Sequence, residues 1–133
     1  MNKSFLNFIY SQKLHRLGIT SSSDFFYNTK DKELYWSRDL FLGMKNFEVL
    51  YLPAYTDADL SNALPHKIIN RKKTVPVSNY DLVIRKTRNG KYCIEYENQI
   101  KSSPSLVQIQ GDTEVEAKAQ MILFLFLRKF HKI

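Results

Sequence analysis

Apolar residues recur at helical spacing from the amino terminus, at Phe5, Phe8, Ile9, Leu14 and Leu17, with Gly18 where a left-handed C-cap belongs. This spacing predicts a helix over about Lys3 to Leu17, with Lys13 and Arg16 on its polar side. Phe25-Phe26-Tyr27 and Leu34-Tyr35-Trp36 then flank the polar Asn28-Thr29-Lys30-Asp31-Lys32, which reads as a hairpin over Asp24 to Trp36. Phe47 to Leu52 is a further strand candidate, closed by Pro53, which cannot donate to a ladder. Thr56 to Leu64 reads as a short helix: Thr56 can cap the free amides, Asp57 and Asp59 suit the positive end of the dipole, and Pro65 ends it. Lys67 to Val75 contains Arg71-Lys72-Lys73 and no acid, and reads as an exposed or mobile loop.

The clearest local signal is Asn89-Gly90 between Leu82–Arg88 and Lys91–Glu97, because Asn-Gly supplies the two positive φ angles of a type I′ turn. A two-residue turn would set Thr87 against Tyr92, Arg85 against Ile94 and Val83 against Tyr96 on an apolar side. On the other side Lys86 would lie against Cys93 and diagonal to Glu95. Leu106 to Gln110 is expected to complete a meander. Thr113 and Glu116 then have the spacing of a capping box that opens the longest helix, running to about Lys129. Its middle, Met121 to Leu127, is apolar all the way round. Two readings stay open: a core helix sandwiched by the sheet and the amino-terminal half, or one whose outer face, carried by Leu123, Phe124 and Leu127, meets a target or a second copy of the chain.

The expected class is therefore α+β, with an N-terminal helix and hairpin, a short middle helix, and an antiparallel three-stranded meander packed on a long C-terminal helix. At 133 residues and 44% hydrophobic content, one domain over residues 1–133 with one core is expected. The eight Tyr and nine Phe argue against disorder, since a chain so rich in large rings has much to bury. A lone cysteine, Cys93, cannot form an internal disulfide and fits a reducing compartment. Phe5 to Tyr10 is too short and polar-interrupted for a secretory core. The longest apolar run, Met121 to Leu127, falls far below the ~20 residues of a membrane span, so the bacterial cytoplasm is the expected location.

Charge sharpens the picture. The net charge is +7, and between Lys67 and Lys91 eight bases (Lys67, Arg71, Lys72, Lys73, Arg85, Lys86, Arg88, Lys91) face one acid, Asp81, leaving twelve of each sign elsewhere. The surplus cations are expected to cluster on a single exposed region that steers polyanions in, either nucleic acid or an acidic protein surface. Tyr80, Tyr92 and Tyr96 neighbour the bases and could stack unpaired bases. The register, however, places Tyr92 and Tyr96 on the apolar side.

Little catalytic chemistry is available. His15, His66, His131 and Cys93 lack zinc-type spacing, so no metal is expected. Asp57-Ala58-Asp59 reads as helix-start carboxylates rather than a cation pair. Asp81 and Glu95 nearly fit a Mg²⁺ nuclease built on a central hairpin, but Glu97 stands where a lysine is needed, which favours solvated strand charges. Cys93 has no histidine nearby in sequence to activate it. The scattered Gly18, Gly43, Gly90 and Gly111 form no phosphate loop. No cofactor and no enzymatic activity are expected.

Ser11 to Gly18, Ser23 to Tyr27, Leu52-Pro53-Ala54-Tyr55 with Leu60 and Leu64-Pro65, the Tyr92 to Tyr96 strand and the closing helix together resemble small uncharacterised proteins of phages and mobile elements of Bacteroidetes bacteria. Tyr80 to Leu127 alone, with Gly111-Asp112-Thr113-Glu114-Val115-Glu116-Ala117 before its helix, is similar to HicB-like antitoxins. It lacks their aromatic Pro-Gly-Cys segment and a following DNA-binding segment. The first resemblance brings no known activity and implies only a phage or mobile-element context; taken with the basic patch, that context leads to the expectation of a non-enzymatic protein that docks on a host nucleic-acid machine or its RNA, most sharply an RNA-guided nuclease, as an anti-CRISPR protein would. The second implies an RNA- or DNA-binding regulator.

Overall fold

The computed structural model describes residues 5–37, 40, 46–70, 78–100 and 104–128. Its elements are α1 (Phe8–Arg16), β1 (Phe25–Asn28), β2 (Leu34–Trp36), α2 (Phe47–Leu50), β3 (Tyr51–Pro53), α3 (Asp57–Ala63), β4 (Lys67–Asn70), β5 (Ser78–Lys86), β6 (Tyr92–Asn98), β7 (Val107–Gly111) and α4 (Glu114–Leu127). The class is α+β, with two antiparallel sheets of order β2-β1-β3 and β4-β5-β6-β7. The chain divides into two compact units, residues 1–61 and 62–133. Among the described residues no helix is long and apolar enough to cross a membrane.

In the first unit α1 starts later than the apolar spacing predicts. Asn7 is the N-cap, its side chain accepting from the Tyr10 amide at 2.9 Å, while Phe5 bridges Thr56 in extended form and Leu6 N–H donates to the Tyr55 carbonyl. A capping side chain thus overrides the periodicity, and Lys3 lies outside the described residues. The helix ends as expected at Gly18, with φ +82°, where Gly18 and Ile19 donate back to His15 and Leu14. The Asp24–Trp36 hairpin forms in register Phe25↔Trp36 and Phe26↔Tyr35. Phe47–Leu50, read as strand, is instead one helical turn: Asn46 adopts a left-handed conformation and its carbonyl accepts from the amides of Val49 and Leu50. Only Tyr51–Pro53 is strand, and it pairs with β1 on the side away from β2. Leu6, Leu14, Leu52, Ala54, Tyr55 and Leu60 are buried here.

In the second unit Lys67–Asn70 is a strand rather than loop, with Lys67↔Asp81 and Ile68↔Tyr80 as cross-strand partners. Burying Ile68 completely outweighs the polar neighbours that suggested a loop. The hairpin of β5 and β6 forms, but one residue off the expected register: Lys86 opposes Tyr92, Arg85 opposes Cys93, Ile84 opposes Ile94 and Leu82 opposes Tyr96. The tip is a three-residue loop. Gly90 N–H donates to the Thr87 carbonyl at 3.1 Å, Thr87 N–H donates to the Lys91 carbonyl at 2.7 Å, and only Gly90, at φ +83°, is left-handed. This is a type I turn closed by a glycine bulge. The Thr87 hydroxyl supports it by accepting from the Lys91 amide and by bonding the Asn89 side chain.

The slip changes faces. Leu82, Ile84, Ile94, Tyr96, Val107 and Ile109 now share one face of the sheet, and Asp81, Val83, Arg85, Cys93, Glu95 and Glu97 share the other. Helix α4 packs on β6 and β7. Thr113 caps it by accepting from the Glu116 amide at 3.2 Å, and its first turn lies so near β7 that a Cβ on Gly111 would sit 2.9 Å from the Ala117 nitrogen. Val115, Ala117, Lys118, Ala119, Met121, Ile122 and Leu125 are buried; Leu123 and Phe124 are partly exposed and Leu127 is 82% exposed. The all-round apolar helix therefore has an uncovered stripe. Its described end is Leu127, capped at Arg128.

Candidate functional site

The expected cationic cluster is divided by strand alternation. Arg85 lies on the sheet face of Asp81, Glu95 and Glu97, where its guanidinium contacts Glu95 at 3.0 Å and Glu97 at 3.3 Å. The cross-strand charge pair predicted for Lys86 is therefore made by Arg85, because the slip exchanges their faces. Lys67 stands on the Arg85 face, directly opposite Asp81. Its position is four strand residues from Arg85, about 13 Å along β5. Arg71, Lys72 and Lys73 lie outside the described residues.

The remaining three cations converge at the β5–β6 tip. Lys86, the last residue of β5, holds its Nζ 5.6 Å from the centroid of the Tyr92 ring directly opposite. Arg88 occupies the turn, and Lys91 follows Gly90; all three are exposed. Asp112 approaches them, 3.5 Å from the Lys91 ammonium and itself 76% exposed, a surface pair that holds little energy. The glycine bulge fixes this spacing: it strengthens the twist at the tip and presents a short cationic prong at one end of the sheet. Sequence reading found these residues by charge. It missed that Tyr92 lies beneath Lys86, and the slip that sets Arg85 instead of Lys86 beside Glu95 had no signal beyond the Thr87 hydroxyl.

The two carboxylates of the nuclease reading share a face, but each already has protein partners. Glu95 is buried, accepts from Ser105 Oγ at 2.7 Å and pairs with Arg85. Asp81 accepts from Gln99 Nε2 at 3.3 Å. Among the described residues no three His, Cys, Asp or Glu side chains come together as a metal site would require. Cys93 is a buried free thiol between Arg85 and Gln110. His15 and His66 are exposed, and His131 lies outside the described residues.

Asp57-Ala58-Asp59 opens α3, with Thr56 as its cap. The Asp59 amide donates to Thr56 Oγ1 at 3.2 Å and the Thr56 amide to Asp59 Oδ2 at 3.0 Å, a reciprocal capping pair. Asp59 also accepts from both Ser21 and Ser22, at 2.7 to 3.1 Å, so this buried carboxylate ties the segment after α1 to α3. Local sequence gives the cap; it cannot give a bond to residues nearly forty positions away. Comparison of the chain with family models, with curated proteins and with solved structures finds no match.

Proposed function

We propose that this chain is a non-enzymatic binding protein that docks through the β5–β6 tip on a polyanionic surface of a nucleic-acid-processing complex. Phosphates of its RNA or the acidic protein surface around them would be the contact. The observation that carries this reading is the grouping of Lys86, Arg88 and Lys91, all exposed, within one six-residue hairpin end that the exposed Asp112 approaches. Exposed cations on a short hydrogen-bonded turn suit phosphate oxygens, and they give affinity and steering without base preference. The resemblance to mobile-element proteins directs the reading to a host machine in the bacterial cytoplasm, with an RNA-guided nuclease as its sharpest case.

The test is capture from host lysate by the wild-type chain and by the K86A/R88A/K91A variant, with and without RNase. A complex held by the wild type and lost by the variant supports docking at the tip. Loss on RNase treatment assigns the contact to RNA, and persistence assigns it to protein. Equal capture by both chains rejects the site.

A further inference from the structure

We propose that two copies of this chain associate about a two-fold axis at β7, pairing their β7 edges antiparallel and laying their α4 helices side by side. Among the described residues, strand β7 ends the four-stranded sheet, with β6 as its one strand neighbour. Edges are ordinarily guarded by charge, proline or a very short strand. Val107-Gln108-Ile109-Gln110-Gly111 carries neither charge nor proline over five residues, whereas the opposite edge strand opens with Lys67. Pairing centred on Ile109 sets Gln108 of one copy against Gln110 of the other, amide beside amide.

The helix geometry fits the same axis. Because α4 packs on β6 and β7 alike, strands spaced about 4.8 Å apart would place the two helices about 10 Å from each other, the distance at which helices pack. A two-fold axis perpendicular to the sheet keeps both helices on one face. The uncovered stripe of α4 runs through Glu116, Gln120, Leu123, Phe124 and Leu127 at helical spacing. Ala117 lies against Gly111; two strand residues back to Ile109 cover about 6.7 Å, or four to five helix residues at about 1.5 Å each. Residues 121 and 122 are therefore level with the axis. An antiparallel pair centred there brings Glu116 of each copy opposite Arg128 of the other and Gln120 opposite Phe124. This charge complementarity, in line with opposed helix dipoles, selects a second copy as the occupant of the apolar stripe.

Sedimentation equilibrium over a concentration series tests the proposal, with circular dichroism to confirm that each variant is folded. The wild type is expected to reach twice the 15.7 kDa chain mass. Gln108→Lys with Gln110→Lys, both at exposed positions, sets lysine against lysine across the axis and is expected to give a monomer. Glu116→Arg or Arg128→Glu alone should weaken association about tenfold, since each change spoils two symmetry-related pairs, and the double reversal should restore it. If the edge variant fails to fold, the charge reversals decide. A wild type that stays at one chain mass up to its solubility limit overturns the proposal, as does a dimer that neither set of changes weakens. Because K86A/R88A/K91A lies outside this interface, its dimerisation should match the wild type, which separates this proposal from docking at the tip.

Discussion

Asp59 shows how much one side chain can hold together. Burial alone would raise its pKa, but the amides of Ser22 and Thr56 and the hydroxyls of Ser21 and Ser22 outweigh that and keep the carboxyl below its ordinary value. A carboxyl depressed in the folded state stabilises it above the unfolded value of about 3.9 and loses that contribution as pH falls through the lower folded value. Asp59→Asn is therefore expected to cost about 1–3 kcal/mol at neutral pH. In urea titrations across pH, its deficit relative to the wild type should shrink below about pH 4. Burial, with Asp59 as a lesser contributor, pushes the Tyr55 phenol up to about 12, and Tyr55 keeps its proton to donate to the Ile19 carbonyl at 2.5 Å. Tyr96, likewise raised by burial, donates to the Pro65 carbonyl at 2.7 Å. Tyr96→Phe should lower the unfolding free energy by about 1 kcal/mol, read by the same denaturant midpoint.

Among the elements, those that local chemistry specifies were legible and those decided by long-range pairing were not. Gly18, Thr56, Thr113 and Gly90 mark caps and a turn because each meets a nearby backbone need, and all four appear where the sequence places them. The apolar run at Phe47 could serve a helical turn or a strand, and only the pairing of Tyr51–Pro53 with β1 decides where the strand begins. Lys67–Asn70 became strand because β5 offered it a partner and the core accepted Ile68. The tip makes a sharper test. If only Gly90 is left-handed, Gly90→Ala should cost about 1–2 kcal/mol while Asn89→Ala costs clearly less; a two-residue turn would penalise both, and thermal unfolding of the two variants distinguishes them. Gly111 works by another mechanism, since a methyl there meets the Ala117 backbone at 2.9 to 3.0 Å. Gly111→Ala should destabilise by about 1–3 kcal/mol through overpacking, measured by the same melts.

For the whole molecule, net charge is a poor guide to local field. The eight bases in one stretch implied a continuous patch, yet among the described ones Arg85 is neutralised by two acids, Lys67 faces Asp81, and three remain at the tip. Strand alternation, invisible to a charge count, made that division. If three phosphates are contacted on single-stranded RNA, the slope of log affinity against log salt should fall by about 2 in K86A/R88A/K91A, measured by fluorescence anisotropy over a salt series. A slope that changes equally for a triple change in the first unit, such as K13A/R16A/K30A, would mean that only the total charge matters.

The glycine bulge at the tip has one last bearing, on deletion. Excising Asn89 would leave Arg88-Gly90 as a two-residue connection between Thr87 and Lys91, a common hairpin length, so the register and the face of every strand residue would stay as they are. Removing one residue from inside β5, such as Ile84, would instead turn the preceding part of the strand by half a turn, bringing Val83 and Asp81 beneath the helix while Leu82 turned outward. The same loss of one residue is absorbed by the loop and inverts the strand.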